Sequence, residues 1–168
     1  VNAKVLPIYE QHEIPAAYWQ IGYKDPAEAY QGDCEAHDVL FLGNCYNSNR
    51  YRLVGALQTL EKKGLNLGIY GSCPGSVGNT HYDFAHSRAL YENCKIAISD
   101  TFANTTGYVS NRLFQALSAG AFVLQQHSPQ LEKYTELKAG THYIEWKSTR
   151  SLKALISEWS QPKKRKER

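Results

Sequence analysis

A chain of 168 residues, 42% of them apolar, is long enough for one domain with an ample core, and its strongly periodic segments exclude a disordered protein. The formal charge of +3 is concentrated at the end: Lys163, Lys164, Arg165, Lys166 and Arg168 outweigh Glu167 by four, which leaves the rest of the chain near −1. That distribution gives no support to a nucleic-acid-binding face on the folded part and makes 161–168 an expected disordered, solvated tail, despite its likeness to a nuclear import signal. No apolar run reaches the length of a membrane span and no leader-like segment opens the chain, so the expectation is a soluble, cytoplasmic protein.

Residues 1–37 fit no regular pattern, except that A-A-Y-W-Q-I-G-Y at 16–23 reads as a strand before a Lys24-Asp25-Pro26 turn. A continuous apolar run at 39–42 is the first core strand. The helix expected at 48–63 puts Leu53, Leu57 and Leu60 on one face and stops at Gly64. A second strand at 65–70 leads into G-S-C-P-G-S-V-G at 71–78. This loop lacks the G-K-[ST] ending of a nucleotide-hydrolysing phosphate loop and reads as a mobile loop bordering a base pocket. A helix at 82–93 precedes the third strand at 95–99; the next helix is capped by Ser110 and ended by Gly120, and a fourth strand follows at 121–125. Ser128-Pro129 starts a short helix through Tyr134, 141–146 is the fifth strand, and Ser148 begins a last helix carrying Leu152, Leu155, Ile156 and Trp159. Strand and helix units alternating at this length imply a Rossmann-like three-layer α/β sandwich, its five- to six-stranded sheet mainly parallel with helices on both faces.

Open sheets of this kind bind ligands where the strand order reverses. An order of 2-1-3-4-5 places that switch between the first and third strands, whose following loops are 43–50 and 99–110. A loop running from a strand end into a helix N-terminus offers free N–H groups and a positive dipole end. Phosphate is favoured there, which makes a nucleotide or nucleotide sugar the natural ligand. In the first loop Gly43 lets the backbone approach a ligand, and Arg50 is placed for a charge-assisted contact to a diphosphate, with Arg52 as its competitor and Asn44 and Asn49 as weaker candidates. In the second, Gly107 makes the turn, Tyr108 to Ser110 opens the helix, Ser110 is both cap and ligand neighbour, and Arg112 either meets the diphosphate or braces the loop. Tyr70 beside Gly71 either stacks on a base or packs half-buried at its strand end.

Cys34, Cys45, Cys73 and Cys94 show no C-x-x-C spacing, and reduced thiols are expected in a cytosolic chain. His81 and His86 are five apart and diverge on a helix, so no metal site is expected.

Four segments carry a family likeness: F-L-G-N at 41–44 with Arg50 following, I-Y-G at 69–71, Y-E-N-C-K-I-A-I-S at 91–99, and G-Y-V-S-N-R-L-F-Q-A-L-S-A-G-A-F-V-L at 107–124. Together they resemble the donor-binding domain of GT-B glycosyltransferases, closest to the group-1-like branch that includes the spore maturation glycosyltransferases, over about residues 16–160. The resemblance implies a nucleoside-diphosphate sugar as ligand, no cofactor, and an acceptor-side domain preceding this one. A chain that begins with Val and has no Met fits a C-terminal half, with 1–37 as linker or remnant of the other domain and 38–160 as the donor-binding domain. The resemblance assigns the diphosphate to Gly43, Asn44, Arg50, Gly107, Tyr108, Ser110 and Arg112, the base to Tyr70 and Gly71, and the ribose to Gln115. Many retaining relatives carry an acidic pair with seven residues between its members where this chain has Gly107 and Gln115. That departure opens an alternative, a noncatalytic nucleotide-binding or interaction domain of the same fold.

Overall fold

The computed structural model describes residues 6–15, 28–78, 83–101, 109–128 and 131–161. A short helix α1 (Leu6–Gln11), which the sequence pattern does not announce, precedes β1 (His37–Leu42), α2 (Ser48–Glu61), β2 (Leu67–Tyr70), α3 (Phe84–Glu92) and β3 (Cys94–Ser99). Then come α4 (Asn111–Ser118), β4 (Val123–Gln126), α5 (Leu131–Tyr134), β5 (Ile144–Trp146) and α6 (Thr149–Trp159). The five strands form one sheet in the order β2-β1-β3-β4-β5, and every neighbouring pair is parallel. The strand expected at 16–23 and tail residues 162–168 lie outside the described residues.

A parallel sheet is covered on both faces, so its strands are apolar throughout and alternate between two cores rather than between core and water. Val39 and Phe41 of β1, Ile96 and Ile98 of β3 and Leu124 of β4 pack against Leu53, Val54 and Leu57 of α2 and Leu152 and Ile156 of α6. Leu40, Leu42, Ala97 and Val123 point the other way, to Leu90 and Tyr91 of α3 and Leu113 and Ala116 of α4. The register Val39↔Leu67, Val39↔Ile96 and Ile98↔Leu124 keeps like faces together.

Local polar bonds set the element ends. Asn47, Asp83, Ser110 and Ser148 are N-caps, and Ser148 and Ser151 bond each other's backbone N–H in a reciprocal capping box. β2 starts only at Leu67 because Asn66 is held by Asp38, which accepts its N–H at 2.9 Å, and by Ala36, whose carbonyl accepts its side-chain amide at 2.7 Å. β5 is shorter than expected because Thr141 and His142 donate their N–H groups to Lys138 in a turn. Gly120 ends α4 with φ of +72°.

The loops after β1 and β2 are stitched together. Gly43 N–H donates to Tyr70 O at 2.8 Å, Ser72 N–H to Asn44 Oδ1 at 2.9 Å, and Cys45 N–H to Ser72 O at 3.3 Å. A Cβ on Gly71 would stand 2.3 Å from Gly43 O, and its φ of +122° also demands glycine. Cys45 and Cys73 form a disulfide across the same loops. This corrects the expectation of reduced thiols at these two positions: the cysteines are 28 residues apart in sequence, but the parallel pairing of β1 with β2 lays the two loops side by side. The 71–78 loop, expected from the sequence to be mobile, is further tied by Gln58 Nε2 donating to Pro74 O at 2.8 Å and Gly71 N–H to Gly78 O at 2.9 Å.

Closing a loop of 28 residues constrains the unfolded chain, an effect worth about 3 to 4 kcal/mol on chain-entropy grounds. Urea melts without reductant should therefore show the double variant Cys45→Ser/Cys73→Ser less stable by roughly 2 to 4 kcal/mol. Reductant should bring the unaltered protein down by a similar amount. Identical melts with and without reductant would show that the bridge contributes nothing.

Candidate functional site

β1 and β3 are neighbours, yet the chain leaves β1 toward β2 and leaves β3 toward β4. Their C-terminal ends thus frame the crevice where an open α/β sheet takes its ligand. Three charged side chains meet there. Arg50 stands in the first turn of α2, its N–H capped by Asn47 Oδ1 at 3.0 Å. Its guanidinium grips Asp100, one residue beyond β3, through Nε to Oδ2 at 2.6 Å and Nη2 to Oδ1 at 3.1 Å, while Nη1 donates to Asn44 O at 2.9 Å. Arg50 and Asp100 are 3% and 4% exposed, and the Tyr46 ring covers the guanidinium with its centroid 4.5 Å away. Arg112, in the first turn of α4, comes from the other face of the sheet to 3.8 Å from Asp100 Oδ1.

Two guanidinium groups therefore answer one carboxylate, and the cluster keeps a surplus positive charge. The two arginines are not equivalent. Arg50 is buried with three donors engaged by protein, a forked pairing that fixes its plane. Arg112 keeps 27% of its side chain exposed, and its guanidinium carbon would lie 3.6 Å from a Cβ placed on Gly43. The structure thus gathers Gly43, Asn44, Arg50 and Arg112 at one edge, with Ser110 at the start of α4. Ser110 is 4% exposed; its Oγ accepts from Arg112 N–H at 3.4 Å and its carbonyl from Leu113 N–H at 3.1 Å. Gln115 is half-buried further along α4. Gly107 and Tyr108 lie outside the described residues.

Tyr70 is not brought to the crevice. It is 7% exposed, its hydroxyl is hydrogen-bonded to His37 Nε2 at 3.0 Å, and its ring meets those of His37 and His86 edge-on. Burial, with Glu35 adding to it, pushes its phenol pKa up. Of the two sequence readings of this residue, packing at the strand end describes its surroundings. Asp100 was not singled out from the sequence, although an acidic residue directly after the apolar run of β3 marks the ligand edge of a parallel sheet. Among the described residues no three His, Cys, Asp or Glu side chains gather as a metal centre.

The architecture is an all-parallel Rossmann-like domain with a cationic crevice at its strand-order switch. The family follows from comparison: a family profile described as glycosyl transferase-like matches residues 50–168, well over half of the chain, and the protein belongs to that family. No curated protein matches it. Among the described residues no helix is long and apolar enough to cross a membrane.

Removing one member of a buried ion pair strands the other, at a cost of about 3 to 5 kcal/mol. Asp100→Ala and Arg50→Ala should each lose that much in urea denaturation, whereas Arg50→Met/Asp100→Leu should recover most of it. Single variants that melt like the parent would show that the pair does not hold the crevice.

Proposed function

We propose that this chain is the donor-binding half of a glycosyltransferase and holds a nucleoside-diphosphate sugar over the C-terminal edge of the sheet, while another domain presents the acceptor. The observation that carries the reading is the second guanidinium: Arg50 already satisfies Asp100, which leaves Arg112 half-free at the opening turn of α4 and beside Gly43. Membership of the glycosyl transferase-like family supports the chemistry, and the four matching segments support the spore maturation branch. A leaving diphosphate needs positioning and charge compensation, which a guanidinium and helix N-terminal amides supply.

In this reading Arg112, Ser110, Gly43, Gly107 and Tyr108 meet the diphosphate. Arg50 and Asn44 act one step back by holding the loop, and Gly71 keeps the neighbouring loop close. Tyr46, 55% exposed with its ring on Arg50, offers a stacking face for the base that the buried Tyr70 lacks. Gln115 takes the ribose through its amide. The residue types at 107 and 115 favour the second reading, a nucleotide-binding domain that does not catalyse, because neither is an acid. Sugar turnover by the protein together with its acceptor domain separates the two.

Calorimetry tests the site. Arg112→Ala should weaken a nucleoside diphosphate about tenfold or more, the worth of a hydrogen bond to a charged group, and leave the nucleoside nearly unchanged. Equal losses for both ligands would remove Arg112 from the diphosphate. Gln115→Glu should tighten the same diphosphate modestly, since bonds to an ionised acceptor are worth about 1.5 to 3 kcal/mol against about 1 for a neutral one. A 2',3'-dideoxy analogue that binds as well as the ribonucleotide would disconnect this position from the ribose.

A further inference from the structure

The Cys45–Cys73 bridge is set apart by the residues on either side of it. Cys45 lies between Asn44, whose carbonyl accepts from Arg50 Nη1 at 2.9 Å, and Tyr46, whose ring lies over the same guanidinium. Across the bridge, Cys73 follows Ser72, whose N–H donates to Asn44 Oδ1 at 2.9 Å and whose carbonyl accepts from Cys45 N–H at 3.3 Å. One covalent bond therefore pins the stretch 44–46, the outer wall around Arg50.

The bridge is also placed for exchange with a small thiol. Cys45 and Cys73 are buried, but their chain neighbours Asn44, Tyr46, Ser72 and Pro74 are all exposed, so the sulfurs lie just below water at the rim of the sheet. The reduced form has an acceptor ready. Cys73 Sγ stands 3.3 Å from Gly43 O, so a thiol there donates to a carbonyl instead of being stranded. The other two cysteines stay out of this exchange. Cys94 opens β3 at the far end of the strands and its Sγ donates to Tyr91 O at 3.2 Å; burial pushes the Cys34 thiol pKa up, away from the nucleophilic thiolate.

We propose that the Cys45–Cys73 bridge is a redox clamp on the crevice wall: oxidised, it holds Asn44 and Tyr46 against Arg50, and reduced, it lets that wall move. Reduction takes a dithiol as co-reactant. One of its thiolates attacks a bridge sulfur and the S–S bond breaks; its second sulfur then resolves the mixed disulfide. The dithiol ends as its own disulfide, while Cys45 and Cys73 gain its two electrons and two protons. That Tyr46 serves a nucleotide base rests on the donor reading; the clamp itself does not. A reduced wall that spends about a tenth of its time in the clamped arrangement binds a ligand needing it about tenfold more weakly.

Proton–nitrogen correlation spectra of the full chain test the clamp before and after dithiothreitol and again after reoxidation. The Arg50 Nε–H, held on Asp100, lies beneath the Tyr46 ring and reports its presence. Its signal should move on reduction, return on reoxidation, and take nearly the reduced position in oxidised Tyr46→Ala, while the amides of β3 and β4 keep their places. In calorimetry, uridine diphosphate should bind the reduced protein about tenfold more weakly, and inorganic pyrophosphate should bind both forms equally. Cys45→Ser/Cys73→Ser should behave as the reduced protein and ignore dithiothreitol. An Arg50 signal indifferent to reduction, a bridge that opens only in denaturant, or uridine diphosphate bound equally by both forms would overturn the clamp. A moving Arg50 signal with no diphosphate binding in either form would leave the clamp standing and sink the donor reading instead.

Discussion

Neither Arg50 nor Asp100 has anywhere else to go. Both are buried at the edge of the sheet, one on the first turn of α2 and the other at the end of β3, and each is the other's main source of charge compensation. A lone ion in such surroundings is costly enough that the pair behaves as one object. It joins the two directions in which the chain winds, because α2 leads back toward β2 while β3 leads on toward β4. Arg112 then arrives from the opposite face and shares the same carboxylate. The crevice therefore has its shape and the sign of its field before any ligand enters, the condition under which electrostatic stabilisation avoids reorganisation.

The same arrangement divides labour among residues that look alike in sequence. Asn44 accepts from Ser72 N–H with its side chain and from Arg50 with its carbonyl, so it works as scaffolding for the loop. Arg50 is likewise engaged by protein through three of its donor groups. Arg112, by contrast, keeps 27% of its side chain exposed, and Arg52, further along α2, is exposed as well.

Much of the architecture was legible because burial on both faces of a parallel sheet leaves a plain trace. The apolar runs of β1 to β5, separated by helices with Leu53, Leu57 and Leu60 or Leu152 and Ile156 at helical spacing, were enough for fold class, while the order 2-1-3-4-5 was a choice among open-sheet topologies that the structure bears out. Caps at Ser110 and Ser148 were equally visible, since an N-cap is a local event. What escaped depends on contacts across long separations. The Cys45–Cys73 bridge spans 28 residues and has no spacing signature, and only the register of β1 against β2 brings it together. The pairing of Arg50 with Asp100 was hidden because the two are 50 residues apart. Asp100 passed unnoticed for the same reason, and α1 because a six-residue helix with Ile8 exposed leaves no amphipathic pattern. Local chemistry was readable; pairing between loops was not.

The bridge between the loops after β1 and β2 closes residues 45–73, with α2 and β2 inside, into a covalent ring rather than an open thread. A peptide bond cut anywhere between Tyr46 and Ser72 would leave both pieces attached through sulfur. Such a nicked chain would still run as a single species until reduced. Within this arc lies α2, with Arg50 on its first turn, so the wall of the crevice is carried on a segment whose two ends cannot drift apart even after its backbone is broken.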